Sequence, residues 1–196
     1  QDIGFALDTP YFLVTFHPVT LEHLTAEEQF KNLLSVLSEF LERPVKIIFT
    51  KANADTEGRI INQLIDSYVA EHPDKAIAFT SMGQFRYLSA MKHCAAVVGN
   101  SSSGILEAPS FKVPTVNIGD RQKGRIKAES VIDCEPDRKD IELALEKALS
   151  KKFIANINDI RNPYYKPETA KAILKIIKEV RLDNIIKKEF YDTSKG

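Results

Sequence analysis

The sequence predicts an α/β fold: a parallel sheet covered by helices on both faces. Two observations carry this reading. Short β-rich runs alternate with amphipathic segments from one end of the chain to the other, giving about six strands separated by helices. One run, 95–99 (AAVVG), is apolar throughout, as a strand covered on both sides should be.

The first strand is expected at 11–16 (YFLVTF). Thr25-Ala26-Glu27-Glu28 reads as a capping box, because the Thr25 hydroxyl can accept from the amide of Glu28 while the Glu28 carboxylate reaches back. The helix it opens carries Phe30, Leu33, Leu34, Leu37, Phe40 and Leu41 at three-to-four spacing, and Pro44 closes it. Residues 45–50 (VKIIFT) form the next strand. A helix follows with Ile60, Ile61, Leu64, Ile65, Tyr68 and Val69 on one stripe. After a short strand at 76–80, Ser81-Met82-Gly83-Gln84 offers a second capping box ahead of Phe85, Leu88 and Met91. The apolar strand leads into a short helix through Ile105 and Leu106 that must end near Pro109. Two more strands lie at 114–118 and 130–134. Asp137 then caps a helix carrying Ile141, Leu145 and Leu149. A last helix, with Ile173, Leu174, Ile177 and Val180, is expected to begin around Pro167, a favoured first-turn residue. No internal repeat or low-complexity segment interrupts this order. The expectation is one domain over 1–196, with 181–196 an appended tail.

Composition narrows the function. Hydrophobic residues make up 43% of the 196 and charged residues 28%, which is ordinary for a soluble globular domain. Lysine plus arginine and aspartate plus glutamate number 27 each, so the net charge is zero and no whole-domain basic field invites nucleic acid. A small anion needs only local positive potential and stays open as a ligand. Cys94 and Cys134 have no metal-ligand spacing and sit beside apolar runs, reading as buried free thiols of a reducing, cytoplasmic compartment; a disulfide between them is the weaker alternative. No apolar stretch approaches the roughly 20 residues of a membrane span. Gln1-Asp2-Ile3-Gly4 is no signal-peptide start. With no methionine at position 1 and a strand so soon after it, the chain reads as a piece of a longer protein.

In open α/β sheets, ligands bind beyond the carboxyl ends of the strands, where helix starts point amides outward. Four features stand at such junctions. Gly99-Asn100-Ser101-Ser102-Ser103-Gly104 follows the apolar strand; its small residues let an anion approach the backbone and its hydroxyls and amides supply donors. Serine and asparagine also cap helices, but three consecutive serines between glycines exceed what a cap needs. The pattern is not GxGxxG, and Asp120 is misplaced for a dinucleotide ribose, so NAD is disfavoured and no cofactor is expected. Glu107 could accept from a ribose cis-diol, although composition alone favours an acid in a first helical turn complementing the dipole. His17-Pro18 follows the first strand; the imidazole can donate to phosphate and assist a departing anion, or simply cap the turn. Gly119-Asp120-Arg121-Gln122-Lys123-Gly124-Arg125 is a basic loop able to offer guanidinium groups to a diphosphate, unless it is a solvated loop in which Arg125 pairs with an acid. No cluster of metal ligands is visible.

Taken together, FHPVT at 16–20, GNSSSGILEAPSF at 99–111 and NIGDRQKGR at 117–125 resemble the carboxyl-terminal domain of the hydrolysing UDP-N-acetylglucosamine 2-epimerases of sialic acid biosynthesis. The likeness runs from about residue 10 to 180. The non-hydrolysing branch typically has a histidine followed by arginines at the first junction and an Arg-Pro-Glu element in the later loop. His17-Pro18 and Arg121-Gln122 place this chain with the hydrolysing branch.

The resemblance implies a Rossmann-like sheet forming the second half of a GT-B fold, with a UDP-sugar in the cleft between two domains and the amino-terminal domain outside this chain. It implies that Ser101 and Ser102 hold the diphosphate and that His17, as the catalytic residue here, and Arg121 face the phosphates. Glu107 would bind the ribose hydroxyls, reversing the composition-based reading. The segment from Thr80 to Phe85 would form the uracil pocket, and Asn53 and Asp55 would line the cleft. The implied reaction eliminates UDP and then adds water to give N-acetylmannosamine, with acid–base carboxylates supplied largely by the other domain and no metal. The full-length protein would be a homo-oligomer. Three alternatives stay open: a GT-B glycosyltransferase, an epimerase acting on a diamino-sugar nucleotide, and a non-catalytic nucleotide-sugar sensor.

Overall fold

A computed structural model describes residues 3–19, 25–52, 56–183 and 186. The chain forms two compact units, Gln1–Tyr164 and Tyr165–Gly196. The first holds a six-stranded sheet of β1 (Tyr11–Thr15), β2 (Lys46–Thr50), β3 (Ala76–Phe79), β4 (Ala96–Gly99), β5 (Thr115–Ile118) and β6 (Val131–Cys134). Its order is β3-β2-β1-β4-β5-β6 and every pairing is parallel. The crossovers are α1 (Ala26–Phe40), α2 (Thr56–Glu71), α3 (Gly83–His93) and α4 (Ser103–Leu106), with α5 (Arg138–Leu149) and α6 (Lys151–Asn156) after the last strand. The second unit contains α7 (Thr169–Glu179).

The alternation of side chains along each strand builds two cores. On one face Phe12, Val14, Ile47, Phe49 and Val98 pack with Phe30, Leu33 and Leu37 of α1, Ile61 and Ile65 of α2, and Leu145 of α5. On the other, Tyr11, Leu13, Ile48 and Val97 meet Ala90 and Met91 of α3. Burying one such large apolar side chain fully is worth about 1.5–3 kcal/mol. β4 is buried along its whole length, as its unbroken apolar character predicts. The α2 stripe is narrower than expected: Ile61, Ile65 and Tyr68 are buried, whereas Ile60 is turned outward.

The Thr25 capping box is present. Thr25 N donates to Glu28 Oε2 at 3.0 Å, and Glu28 N donates to Thr25 Oγ1 at 3.2 Å. Thr25→Ala is therefore expected to destabilise the fold by about 1 kcal/mol, read as a lower urea midpoint with an unchanged slope; an unaltered midpoint would show the box to be inert. Asp137 caps α5 as expected, accepting from Asp140 N.

The second box does not form. Gly83 adopts a left-handed φ of +66° and its N–H turns back to Ser81 Oγ at 3.2 Å, so α3 starts one residue too late for Ser81 to cap it. Pro167 likewise precedes its helix, because Glu168 takes a left-handed φ of 59° and α7 begins at Thr169. The sequence reading also missed α6, a six-residue helix capped by Ser150, whose Oγ accepts from Phe153 N. Both cysteines are free thiols, pushed up to about 12 in pKa chiefly by burial, which leaves them protonated and unreactive. Among the described residues no helix is long and apolar enough to cross a membrane.

Candidate functional site

The sheet order places β1 beside both β2 and β4, so the chains leaving β1 and β4 diverge to opposite faces. At such a switch point, the carboxyl ends of the strands are where open α/β sheets bind ligands. Thr15 and Gly99, the last residues of β1 and β4, are paired there. Gly99 has φ +126°, and a Cβ on it would lie 2.0 Å from the Thr15 carbonyl oxygen. Only glycine lets β4 turn this close to β1.

The next residue ties the junctions together. Asn100 is 1% exposed. Its Oδ1 accepts from His17 N at 2.7 Å and its Nδ2 donates to His17 O at 2.8 Å, so one carboxamide clamps the backbone of the β1 loop. Asn100 N donates to Thr15 O at 3.1 Å. The Asn100 carbonyl accepts from Arg121 Nη1 at 3.1 Å and from Gln122 Nε2 at 2.8 Å, which anchors the loop after β5. Loops from three strands thus converge on one buried side chain and its carbonyl. His17, Asn100 and Arg121 are brought together.

The serines belong to the same junction. Ser102 occupies the N-cap position of α4 yet makes no side-chain capping bond, so capping does not occupy its hydroxyl. Ser101 Oγ lies 2.9 Å from Ser103 Oγ, which lies 2.6 Å from the Tyr87 hydroxyl of α3. Thr15 Oγ1 and Thr50 Oγ1, at neighbouring strand ends, are 2.5 Å apart. Behind the serines, Gly104 presses α4 onto β5: a Cβ there would be 2.6 Å from Thr115 Cγ2, and Thr115 Oγ1 donates to Gly104 O at 2.9 Å.

Glu107 is the C-cap of the four-residue α4, so it does not sit in a first turn of that helix complementing the dipole. The carboxyl is half-buried, and its Oε2 has no hydrogen-bond partner among the described residues. Loss of water around it raises its pKa, with only a partial offset from its own backbone N–H. Arg121 and Arg125 form no ion pair with a carboxylate among the described residues, which removes the reading that Arg125 pairs with an acid. Partial burial, and then the neighbouring Arg125, hold the Arg121 pKa below its ordinary value. An Arg121 guanidinium held on the Asn100 carbonyl beside the serine loop, with no carboxylate partner among the described residues, is suited to an anion.

No hydrogen bond joins Thr80 or Phe85 to this cluster among the described residues. Thr80 is exposed beyond β3, and Phe85 is 85% exposed. Phe85 borders an open groove of about 560 Å³ that also touches Tyr11, at the opposite end of β1. Phe85 and Tyr87 are two positions apart on α3, hence roughly 200° apart around its axis, and it is Tyr87 that faces the serine loop. Asn53 and Asp55 lie outside the described residues. No three side chains of the metal-ligating kinds gather among the described residues.

Sequence reasoning missed Asn100, Gln122 and Tyr87. For Asn100 there was a signal, an amide residue directly after the glycine that ends an apolar strand. For Tyr87 and Gln122 there was none, since their partners come from other loops.

A parallel sheet in this order, with a tight glycine turn and a donor-rich loop at its switch point, defines a doubly wound Rossmann-like α/β domain of the kind that forms each half of a GT-B fold. The chain belongs to the UDP-N-acetylglucosamine 2-epimerase family, whose model matches residues 2–178. It is 42% identical over 187 residues to the GDP/UDP-N,N'-diacetylbacillosamine 2-epimerase (hydrolyzing) of Campylobacter jejuni, covering 95% of this chain and 48% of that protein. To the polysialic acid biosynthesis protein P7 of Escherichia coli it is 37% identical, covering 93% and 46%. The crystal structure of Methanocaldococcus jannaschii UDP-GlcNAc 2-epimerase in complex with UDP-GlcNAc and UDP shares the fold, with a TM-score of 0.65 at 22% identity over 87% of this chain and 46% of that one. The chain therefore spans about half the length of the relatives it matches.

Proposed function

We propose that this chain is the UDP-binding half of a cytoplasmic, homo-oligomeric enzyme that converts UDP-N-acetylglucosamine to N-acetylmannosamine and UDP. The observation that carries the reading is the convergence of His17, the serine loop and Arg121 on Asn100 at the switch point. Family membership and the hydrolysing relatives support it.

In this reading Ser101 and Ser102 donate to the diphosphate, Arg121 balances its charge and His17 donates to the departing UDP. Glu107 accepts from the two ribose hydroxyls. The Thr80–Phe85 segment receives uracil through its backbone, and Asn53 and Asp55 line the sugar side. A carboxylate of the other half takes the C2 proton while the C1–O bond to UDP breaks, leaving a C1–C2 double bond to which water adds. The donors here act on the charge that develops on the leaving diphosphate, where preorganised hydrogen bonds are most effective. No metal or cofactor enters this scheme, and neither nucleic acid nor a membrane is a partner.

A diamino-sugar nucleotide is the second reading, favoured by the 42% identity to the diacetylbacillosamine enzyme. Calorimetric titration of the 196-residue chain with UDP is expected to show weak, saturable binding, and NMR of the chain with UDP-N-acetylglucosamine to show no N-acetylmannosamine. Turnover by the chain alone would overturn the division of labour, and absence of UDP binding would overturn the assignment.

A further inference from the structure

We infer that Tyr87 is a positioning residue, setting the direction of a chain of hydroxyls so that Ser101 presents its proton to the bound diphosphate. The inference rests on the diphosphate reading of the serine loop. The Tyr87 hydroxyl, carried by α3, is 2.6 Å from Ser103 Oγ, and Ser103 Oγ is 2.9 Å from Ser101 Oγ. Three hydroxyls therefore run in series from α3 to the serine loop.

Each hydroxyl has one proton to give, so such a chain takes one direction or the other. Tyr87 to Ser103 to Ser101 is the direction that leaves the last proton free for a ligand. Ser101 Oγ then accepts from Ser103 Oγ and from Ser103 N, the latter at 3.4 Å. The opposite direction would turn Ser101 inward as a donor and aim its lone pairs at the anion. Burial raises the Tyr87 pKa, so the phenol keeps its proton throughout the neutral range. Hydrogen bonds in series polarise one another, so a Tyr87 proton given to Ser103 favours the direction in which Ser101 points its own proton outward. Without the phenol, Ser103 loses its donor from behind and Ser101 is no longer biased outward.

The test compares UDP with uridine, which lacks the diphosphate, in NMR-detected titrations of wild type, Tyr87→Phe, Ser103→Ala and the double variant. Tyr87→Phe is expected to weaken UDP by about 5- to 10-fold and to leave uridine unchanged. The double variant should be no weaker for UDP than Ser103→Ala. Equal losses for UDP and uridine would mark Tyr87 as a purely structural residue and overturn the inference, as would an unchanged UDP affinity. If Tyr87→Phe does not fold, Ser103→Ala carries the same comparison, and a UDP loss absent from it overturns the inference. Wild type binding UDP no more tightly than uridine would instead overturn the diphosphate reading beneath it.

Discussion

Gly99→Ala is expected to cost about 4 kcal/mol or more, enough to unfold the chain or to leave it expanded at the switch point. Two penalties add. The φ of +126° is a conformation an L-residue with a Cβ rarely adopts, and the new Cβ would sit 2.0 Å from the Thr15 oxygen and 2.8 Å from its carbonyl carbon. Neither contact is with a flexible side chain that can swing aside. Retreat of β4 would break the Thr15↔Gly99 pairing and pull Asn100 N away from Thr15 O. Every hydrogen bond that Asn100 makes to His17, Arg121 and Gln122 would follow. Gly83→Ala is the matched control: φ is +66°, but nothing lies within 4 Å of the added Cβ. Its cost is the backbone penalty alone, about 1–2 kcal/mol. Urea denaturation of the two variants separates the cases, and equal losses would show that the β1–β4 approach is not tight.

The same contrast explains how far the sequence could be read. Strand alternation is a local property, so Tyr11 and Leu13 on one face and Phe12 and Val14 on the other follow directly from period two. The Thr25 box spans four residues and was legible. Ser81 shows the limit of that scale: the same letters at the same spacing fail once Gly83 takes a positive φ. The positions of the serine loop, His17 and the Arg121 loop followed from the rule that ligands bind at strand ends, and the family resemblance assigned them roles. Their mutual arrangement did not, because it depends on Asn100, whose partners lie 83 positions away at His17 and 22 away at Gln122. Phe85 illustrates the converse. It stands in the segment expected to receive the base, yet the helical phase of α3 turns it toward a groove by Tyr11 and turns Tyr87 to the loop.

Glu107→Gln is expected to stabilise the unliganded chain near neutral pH while weakening UDP about 10- to 100-fold, the value of losing charge-assisted hydrogen bonds to a ribose. The Oε2 atom is buried without a partner among the described residues, and desolvation raises the carboxyl pKa above its ordinary value. A carboxyl whose pKa is higher folded than unfolded holds its proton more tightly in the folded state. Its stabilising contribution is complete below the ordinary carboxylate range and is lost as pH climbs through the raised value. Wild type should therefore lose stability relative to Glu107→Gln between mildly acidic and neutral pH, and the variants should converge at low pH. A ligand that needs the charge offsets such a cost, and a ribose diol supplies a donor that Oε2 lacks. Thermal melts across this pH range, paired with titrations of UDP and 2′-deoxy-UDP, test both halves. Wild type should discriminate against the deoxy ligand and Glu107→Gln should not. A variant that melts below wild type at pH 7 would mean that Oε2 is already satisfied, and retained discrimination would place the ribose elsewhere.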